Sequence, residues 1–225
     1  MDIHGGQMDH LKKAFDSLEP GLTRFLEDSS PDWIIYDFAA HWLPPVAARL
    51  GISRAFYSNN NAWFAAFFGP TDALISDYDD RTKPDDFMVP PKWAKFETKV
   101  AYRRHEADWI VTMGQINQSG FSDFYRVGKV LLGCEAILTR HCYEFEPEWL
   151  TLLEELHHRP VIPLGIRARP DGAAEWIRGE SLNSRVIVEK QLGVEILRNE
   201  QDGSCTRNSV ADSIKLVMLE KEGVN

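Results

Sequence analysis

Apolar residues recur at spacings of three and four through Leu11, Phe15, Leu18, Leu22, Phe25 and Leu26. That period predicts a helix over 8–28 with one apolar stripe. Pro20 falls inside it, so a kink, or a restart with proline in the first turn, is expected. Ser29-Ser30-Pro31-Asp32 ends the helix, and Trp33-Ile34-Ile35-Tyr36 follows as a continuous apolar run closing on Asp37. A short run without alternation suits a strand buried on both faces of a parallel sheet. Trp42–Leu50 reads as helix, Gly51 as its stop, and Ile52–Tyr57 as a second strand. Ser58-Asn59-Asn60-Asn61 then offers caps for an apolar helix over Ala62–Phe68.

Residues 69–95 carry Gly69-Pro70, an acidic stretch and Pro90-Pro91, and read as an irregular excursion. Helical periodicity resumes over Phe96–Ile110, and a further helix is expected over Phe121–Val127. Ala136–Thr139 reads as a strand, Phe145–His157 as a helix and Val161–Gly165 as a closing strand. Strands alternating with helices predict a doubly wound α/β layer. From Arg167 the composition becomes linker-like. Beyond it come a short helix over Leu182–Gln191, a strand over Gly193–Leu197 and an amphipathic helix capped by Thr206 or Asn208, with Val210, Ile214, Val217 and Met218 on its apolar face.

Composition narrows the partners. The 225 residues hold 25 Lys plus Arg against 34 Asp plus Glu, a net charge of −9. An acidic surface is poorly suited to neutralising phosphates, so nucleic acid is not an expected partner. No apolar run approaches the ~18 residues of a membrane span. Met1–Gly6 has neither a basic nor an apolar leader segment, and three cysteines without a CxxC fit a reducing compartment. A cytoplasmic protein is expected. Seven Trp, twelve Phe and six Tyr are consistent with a packed core or with a pocket for flat apolar ligands.

Ligands of open α/β sheets bind beyond the carboxyl ends of the strands. Asp37 stands at such an end, with His41 four residues on. Its carboxylate could orient a catalytic imidazole or cap the following helix. Asp77, Asp79 and Asp80 lack the Gly and Glu offsets of a calcium loop. His157 and His158 fall at a helix end, where imidazole complements the helix dipole. Asn117-Gln118-Ser119 matches a glycosylation pattern, and a chance match is expected because secretion has no support in the sequence. P-loop, GxGxxG, HExxH and GxSxG patterns are absent from the sequence.

More specific are Ser30–Phe38, His41-Trp42-Leu43-Pro44 and Ala47–Ile52, continued by Pro90-Pro91-Lys92-Trp93, Gly133–Ala136, Glu148-Trp149-Leu150 and Pro160–Gly165. Over roughly 8–166 the chain resembles the plant family 1 UDP-glycosyltransferases, nearest the branch that glycosylates flavonoid and terpenoid glycosides. The resemblance implies a GT-B-like α/β fold, mostly the N-terminal Rossmann-like acceptor domain, and a UDP-sugar co-substrate with no metal and no other cofactor. In that family an N-terminal His takes the proton of the acceptor hydroxyl, an Asp pairs with it, and the oxygen displaces UDP with inversion. Asp37 matches the pairing Asp. Trp42, Trp63, Phe64, Phe67 and Trp93 are the candidate lining of a pocket for the small-molecule acceptor.

Three departures accompany the match. The family's first strand and its His-bearing loop lie upstream of any matching residue, so His4 is not carried over as the base. Ser181–Arg185, Gly193–Ile196 and the helix from Thr206 resemble the family segment that follows the donor-binding signature. The signature itself, with its Trp-Pro-Gln start, His-Cys-Gly-Trp-Asn-Ser core and closing Asp-Gln, is missing, and Gly179-Glu180 stands where Asp-Gln belongs. The resemblance thus divides the chain into an incomplete acceptor domain (1–166), a junction (167–180) that looks like an internal deletion, and a donor-domain remnant (181–225) retaining no donor-binding residue. A chain so built is expected to be inactive alone, or to serve as a non-catalytic binding module.

Overall fold

The computed structural model describes residues 5–76, 80–140, 142–143, 145–164, 196 and 198–212, with backbone only for 5–7. In chain order its elements are α1 (Gly5–Asp16), α2 (Glu19–Ser29), β1 (Trp33–Tyr36), α3 (Leu43–Arg49), β2 (Ser53–Ser58), α4 (Ala62–Phe68), α5 (Thr71–Ile75), α6 (Arg104–Met113), α7 (Asp123–Gly133), β3 (Ala136–Thr139), α8 (Pro147–His157) and β4 (Val161–Pro163). A 3-10 turn at Pro84–Phe87 precedes α6. The described residues fall into two compact units, one from 1–80 with 112–166, the other from 81–111 with 167–225.

The first unit is built on a four-stranded, wholly parallel sheet of order β1-β2-β3-β4. Each strand joins the next on the same side, and right-handed crossovers in one direction lay α3, α7 and α8 on a single face. Tyr36, Phe56, Ile137 and Val161 are buried toward those helices, and the Tyr36 hydroxyl donates to the Val130 carbonyl of α7 (3.4 Å). The register places Trp33, Ile35, Ala55, Leu138 and Ile162 on the opposite face. There Trp33 is 55%, Ile35 62% and Ile162 45% exposed. The expectation that the Trp33–Tyr36 strand is buried on both faces is therefore corrected. It is an edge strand with one face open, and a continuous apolar run does not by itself disclose the second layer.

In the helix layer the α7 backbone lies directly against side chains of its neighbours. A β-carbon added at Gly133 of α7 would lie 2.3 Å from Pro44 Cβ in α3. At Gly128 it would lie 2.7 Å from Ile75 Cγ1. Of the two outcomes expected at Pro20, the helical stretch over 8–28 shows the restart: it parts at Ser17-Leu18, and Pro20 sits in the first turn of α2, where its missing N–H costs nothing.

In the second unit, the Asp86 carboxylate accepts from the Thr82 and Lys83 amides (2.9 and 2.8 Å) and folds the 3-10 turn. The Arg81 guanidinium lies 4.8 Å from the Phe87 ring and 4.4 Å from the Trp93 ring. The helix expected from Phe96 begins only at Arg104. Its first half is pre-empted because the Tyr102 amide donates to the distant Phe87 carbonyl (3.0 Å) and Thr98 Oγ1 accepts from Val100 N. Thr206 and Ser209 exchange side-chain-to-amide bonds of 3.0 Å at the start of a helix over 207–212, so Thr206 is its cap. Asp77 and Asp79, the 167–180 linker, the helix over 182–191, most of the strand over 193–197 and the apolar positions 214–218 lie outside the described residues.

Candidate functional site

Asp37 stands exposed just beyond the carboxyl end of β1. Its Oδ1 accepts the Ala39 amide at 2.9 Å, closing a tight turn of the kind short acidic side chains favour. Oδ2 has no partner among the described residues and faces solvent. One oxygen thus fixes the carboxylate while the other remains free to accept a hydrogen bond, the division of labour that orienting an imidazole requires.

The turn from Asp37 to Trp42 is held from behind by a residue the sequence reading passed over. Arg126, in the first turn of α7, is fully buried. Its Nη1 reaches Asp16 Oδ1 (2.9 Å), the Ala39 carbonyl (2.9 Å) and His41 Nδ1 (3.0 Å). Nη2 donates to Asp16 Oδ2 and to Ser119 Oγ (2.9 Å). Lys12 adds a second tie between α1 and α7, donating to Asp123 at 2.6 Å. The available signal was positional: Arg126 lies four residues before Val130 and seven before Gly133, on the stripe α7 turns inward.

His41 is buried against the Phe121 ring at 4.6 Å. Burial first, and then the Arg126 guanidinium, hold its pKa below the ordinary histidine value. Because Nδ1 accepts from Arg126, the imidazole is assigned neutral with its proton on Nε2. It is a packed structural histidine.

Of the five candidate acceptor residues, Trp42 packs beside Phe15 (6.1 Å between centroids) and is buried. Trp63 and Phe67 point from α4 into the core, while Phe64 keeps part of its surface. Trp63 and Phe64 meet edge to face at 6.2 Å, and Phe64 meets Phe68 at 4.9 Å. Trp93 belongs to the second unit and is half-exposed beneath Arg81. The asparagines expected to cap α4 make no side-chain cap. Instead Glu146, wholly buried, accepts the Ala62 amide at 3.0 Å. A groove of about 480 Å³ lies between Pro44, Ala48, Leu132, Lys129, Arg54 and Arg159. It opens at the amino ends of the strands, away from Asp37.

Other candidates are quieter. His157 is buried and its pKa is pushed down to about 4, chiefly by burial, so it does not serve the helix dipole as a cation, contrary to expectation. Its neighbour His158 takes the left-handed cap of α8 at φ 51°. Cys134, Cys142 and Cys205 are free thiols. Among the described residues no cluster of three metal-ligating side chains occurs, and no helix is long and apolar enough to cross a membrane.

The chain matches no protein-family model. It is 42% identical over 212 residues to UDP-glycosyltransferase 91D2 of Stevia rebaudiana, covering 89% of this chain and 44% of that protein. It is 47% identical to UDP-glycosyltransferase 91D1 of the same plant, covering 89% and 43%. Soyasaponin III rhamnosyltransferase of Glycine max is 27% identical over 90% of this chain and 45% of its own length. The chain therefore spans less than half the length of each of these three curated relatives. Among solved structures, Glycyrrhiza uralensis UGT73P12, complexed with glycyrrhetinic acid 3-O-monoglucuronide, superimposes with a TM-score of 0.52 at 16% identity. That match covers 85% of this chain and 38% of the other and establishes a common fold.

Proposed function

The chain belongs to the plant UDP-glycosyltransferases, and on that premise we propose that it forms the acceptor side of an enzyme moving a sugar from a UDP-sugar to a hydroxyl of a small plant metabolite. The acceptor class is a flavonoid or terpenoid glycoside, a reading supported by relatives whose names specify a soyasaponin and an anthocyanidin glucoside. Residues 1–166 supply the acceptor part, 167–180 the junction and 181–225 a remnant of the donor part. The UDP-sugar is a co-substrate and no metal is required. The setting is the cytoplasm.

Chemically, the acceptor hydroxyl must lose a proton as its oxygen attacks the anomeric carbon and UDP departs. A neutral histidine accepts that proton, and an adjacent carboxylate holds the ring in the right tautomer and stabilises the imidazolium. Asp37 takes the carboxylate role through Oδ2. The single observation carrying the reading is that Asp37, matched by sequence, stands at the carboxyl end of a parallel strand with one oxygen anchored and one open. His41 does not take the histidine role, because its Nδ1 is committed to Arg126. The histidine, like the donor signature, is not among these residues, so the 225-residue polypeptide alone transfers nothing. Of the first unit's aromatic candidates Trp42, Trp63, Phe64 and Phe67, Phe64 presents accessible ring surface and is the proposed acceptor contact, since the other three are buried.

The test is a chimaera in which residues 8–166 replace the matching segment of the Stevia 91D2 enzyme, assayed with radiolabelled UDP-glucose and a terpenoid glycoside. Transfer is expected, and Asp37→Asn in the chimaera should slow it by about 10²–10⁴-fold, the usual contribution of an oriented general base. Undiminished transfer by the Asp37→Asn chimaera would refute the assignment.

A further inference from the structure

We infer that Arg126 is the positioning residue for Asp37, acting through Ala39. The inference rests on the reading of Asp37 given above, but its physical basis is independent of catalysis. Ala39 is gripped at both ends: its carbonyl accepts from Arg126 Nη1 at 2.9 Å, and its amide donates to Asp37 Oδ1 at 2.9 Å. The same carbonyl also accepts the His41 amide at 3.0 Å. Fixing both flanking peptide planes sets φ and ψ of Ala39, and with them the direction in which the Asp37 carboxylate is held. Asp37 itself is exposed, so no packing around it would otherwise choose a rotamer.

The guanidinium is in turn immobilised. It is fully buried, held in a two-pronged contact by the Asp16 carboxylate of α1 and bonded to Ser119 Oγ. A planar fork with several donors can serve a carboxylate, a carbonyl and a ring nitrogen at once, which a lysine ammonium cannot do in the same geometry. The relay Asp16–Arg126–Ala39–Asp37 therefore links the first helix to the solvent-facing carboxylate. His41 completes it, since a neutral Nδ1 facing Arg126 helps keep the fork in one orientation.

The experiment uses this chain with ¹³C,¹⁵N labelling and follows two local readouts, the Ala39 amide exchange rate and the Asp37 carboxyl ¹³C resonance. The Phe56 amide of β2 reports on the fold as a whole. Arg126→Lys keeps the charge and loses the fork. Asp16→Leu combined with Arg126→Met removes both charges while preserving volume, a replacement buried ion pairs often tolerate. In each variant Ala39 exchange should rise at least tenfold and the Asp37 resonance should move to that of an unrestrained aspartate, with Phe56 protection unchanged. An unaltered Ala39 rate and Asp37 resonance in either folded variant would overturn the inference. Loss of Phe56 protection in both variants would overturn it as well, because Arg126 would then anchor the whole fold and not this turn. Neither readout involves sugar transfer, so failure here is distinguishable from failure of the chimaera.

Discussion

His157 makes acid stability a quantitative test of the core. The imidazole sits in the last turn of α8, 7% exposed, and neither ring nitrogen has a hydrogen-bond partner among the described residues. Burial, followed by the positive charges of His158 and Arg159, lowers its pKa to about 4 from 6.5. A depressed histidine favours the folded state while it is neutral. Its contribution is complete above pH 6.5, where the unfolded chain is also neutral, and is lost as pH falls toward 4. At about 1.36 kcal/mol per unit, the interval between the two pKa values is worth about 3 kcal/mol. That is a large share of the ~5–15 kcal/mol typical of a native protein. His157→Leu substitutes an apolar side chain of similar size and removes two unpaired polar atoms. It should match or exceed the parent at pH 7.5 and lose far less stability by pH 4.5. Urea unfolding at pH 7.5, 6.0, 5.0 and 4.5 reads the difference directly. A slope should remain in the variant, because His41 is also held low. Parallel curves for parent and variant across the whole interval would refute the assignment of the acid loss to this side chain.

Two further outcomes follow from packing. Gly133→Ala and Gly128→Ala should each destabilise by about 1–3 kcal/mol, since the new methyl meets Pro44 or Ile75 well inside contact distance. Gly21→Ala in α2, with open space around it, should stabilise by up to about 1 kcal/mol, and thermal melts of the three decide the matter. At the sheet edge, Trp33→Lys with Ile35→Lys should leave the melting temperature nearly unchanged and reduce light scattering on concentration, because both side chains are largely exposed and charge protects strand edges. A fall in melting temperature beyond a few degrees would mean that they are packed.

Most of the strands were legible because they are short apolar runs bounded by Asp, Gly, Asn and Pro, whereas their order β1-β2-β3-β4 came only from the structure. Trp33 and Ile35 were misread because an apolar run predicts a strand but is silent on how many layers cover it. The false start of α6 at Phe96 has a different origin. Its spacing is helical, but the Tyr102 amide is claimed by Phe87, fifteen residues away, and such a partner is invisible to periodicity. Asp37 was singled out from its place after an apolar run, and the structure puts it at the carboxyl end of β1. Arg126 was not, because a cation in an amphipathic helix is ordinarily taken for surface, and only three-dimensional convergence with Asp16, Ala39 and His41 shows that it is inside. The aromatic candidates were chosen by type, and type does not separate the buried Trp63 and Phe67 from the half-open Phe64 and Trp93.

The stepwise order of the sheet also has a kinetic consequence. Its three pairings join residues 20, 81 and 24 positions apart: Ile35 with Ala55, Ala55 with Ala136, and Ile137 with Val161. Closing the middle loop is therefore entropically dearer than closing the first by about 1.2 kcal/mol, two doublings of length at about 0.6 kcal/mol each. The two outer βαβ units can nucleate early and separately as the polypeptide emerges, and their zippering along β2 and β3 becomes the slow, topology-limited event.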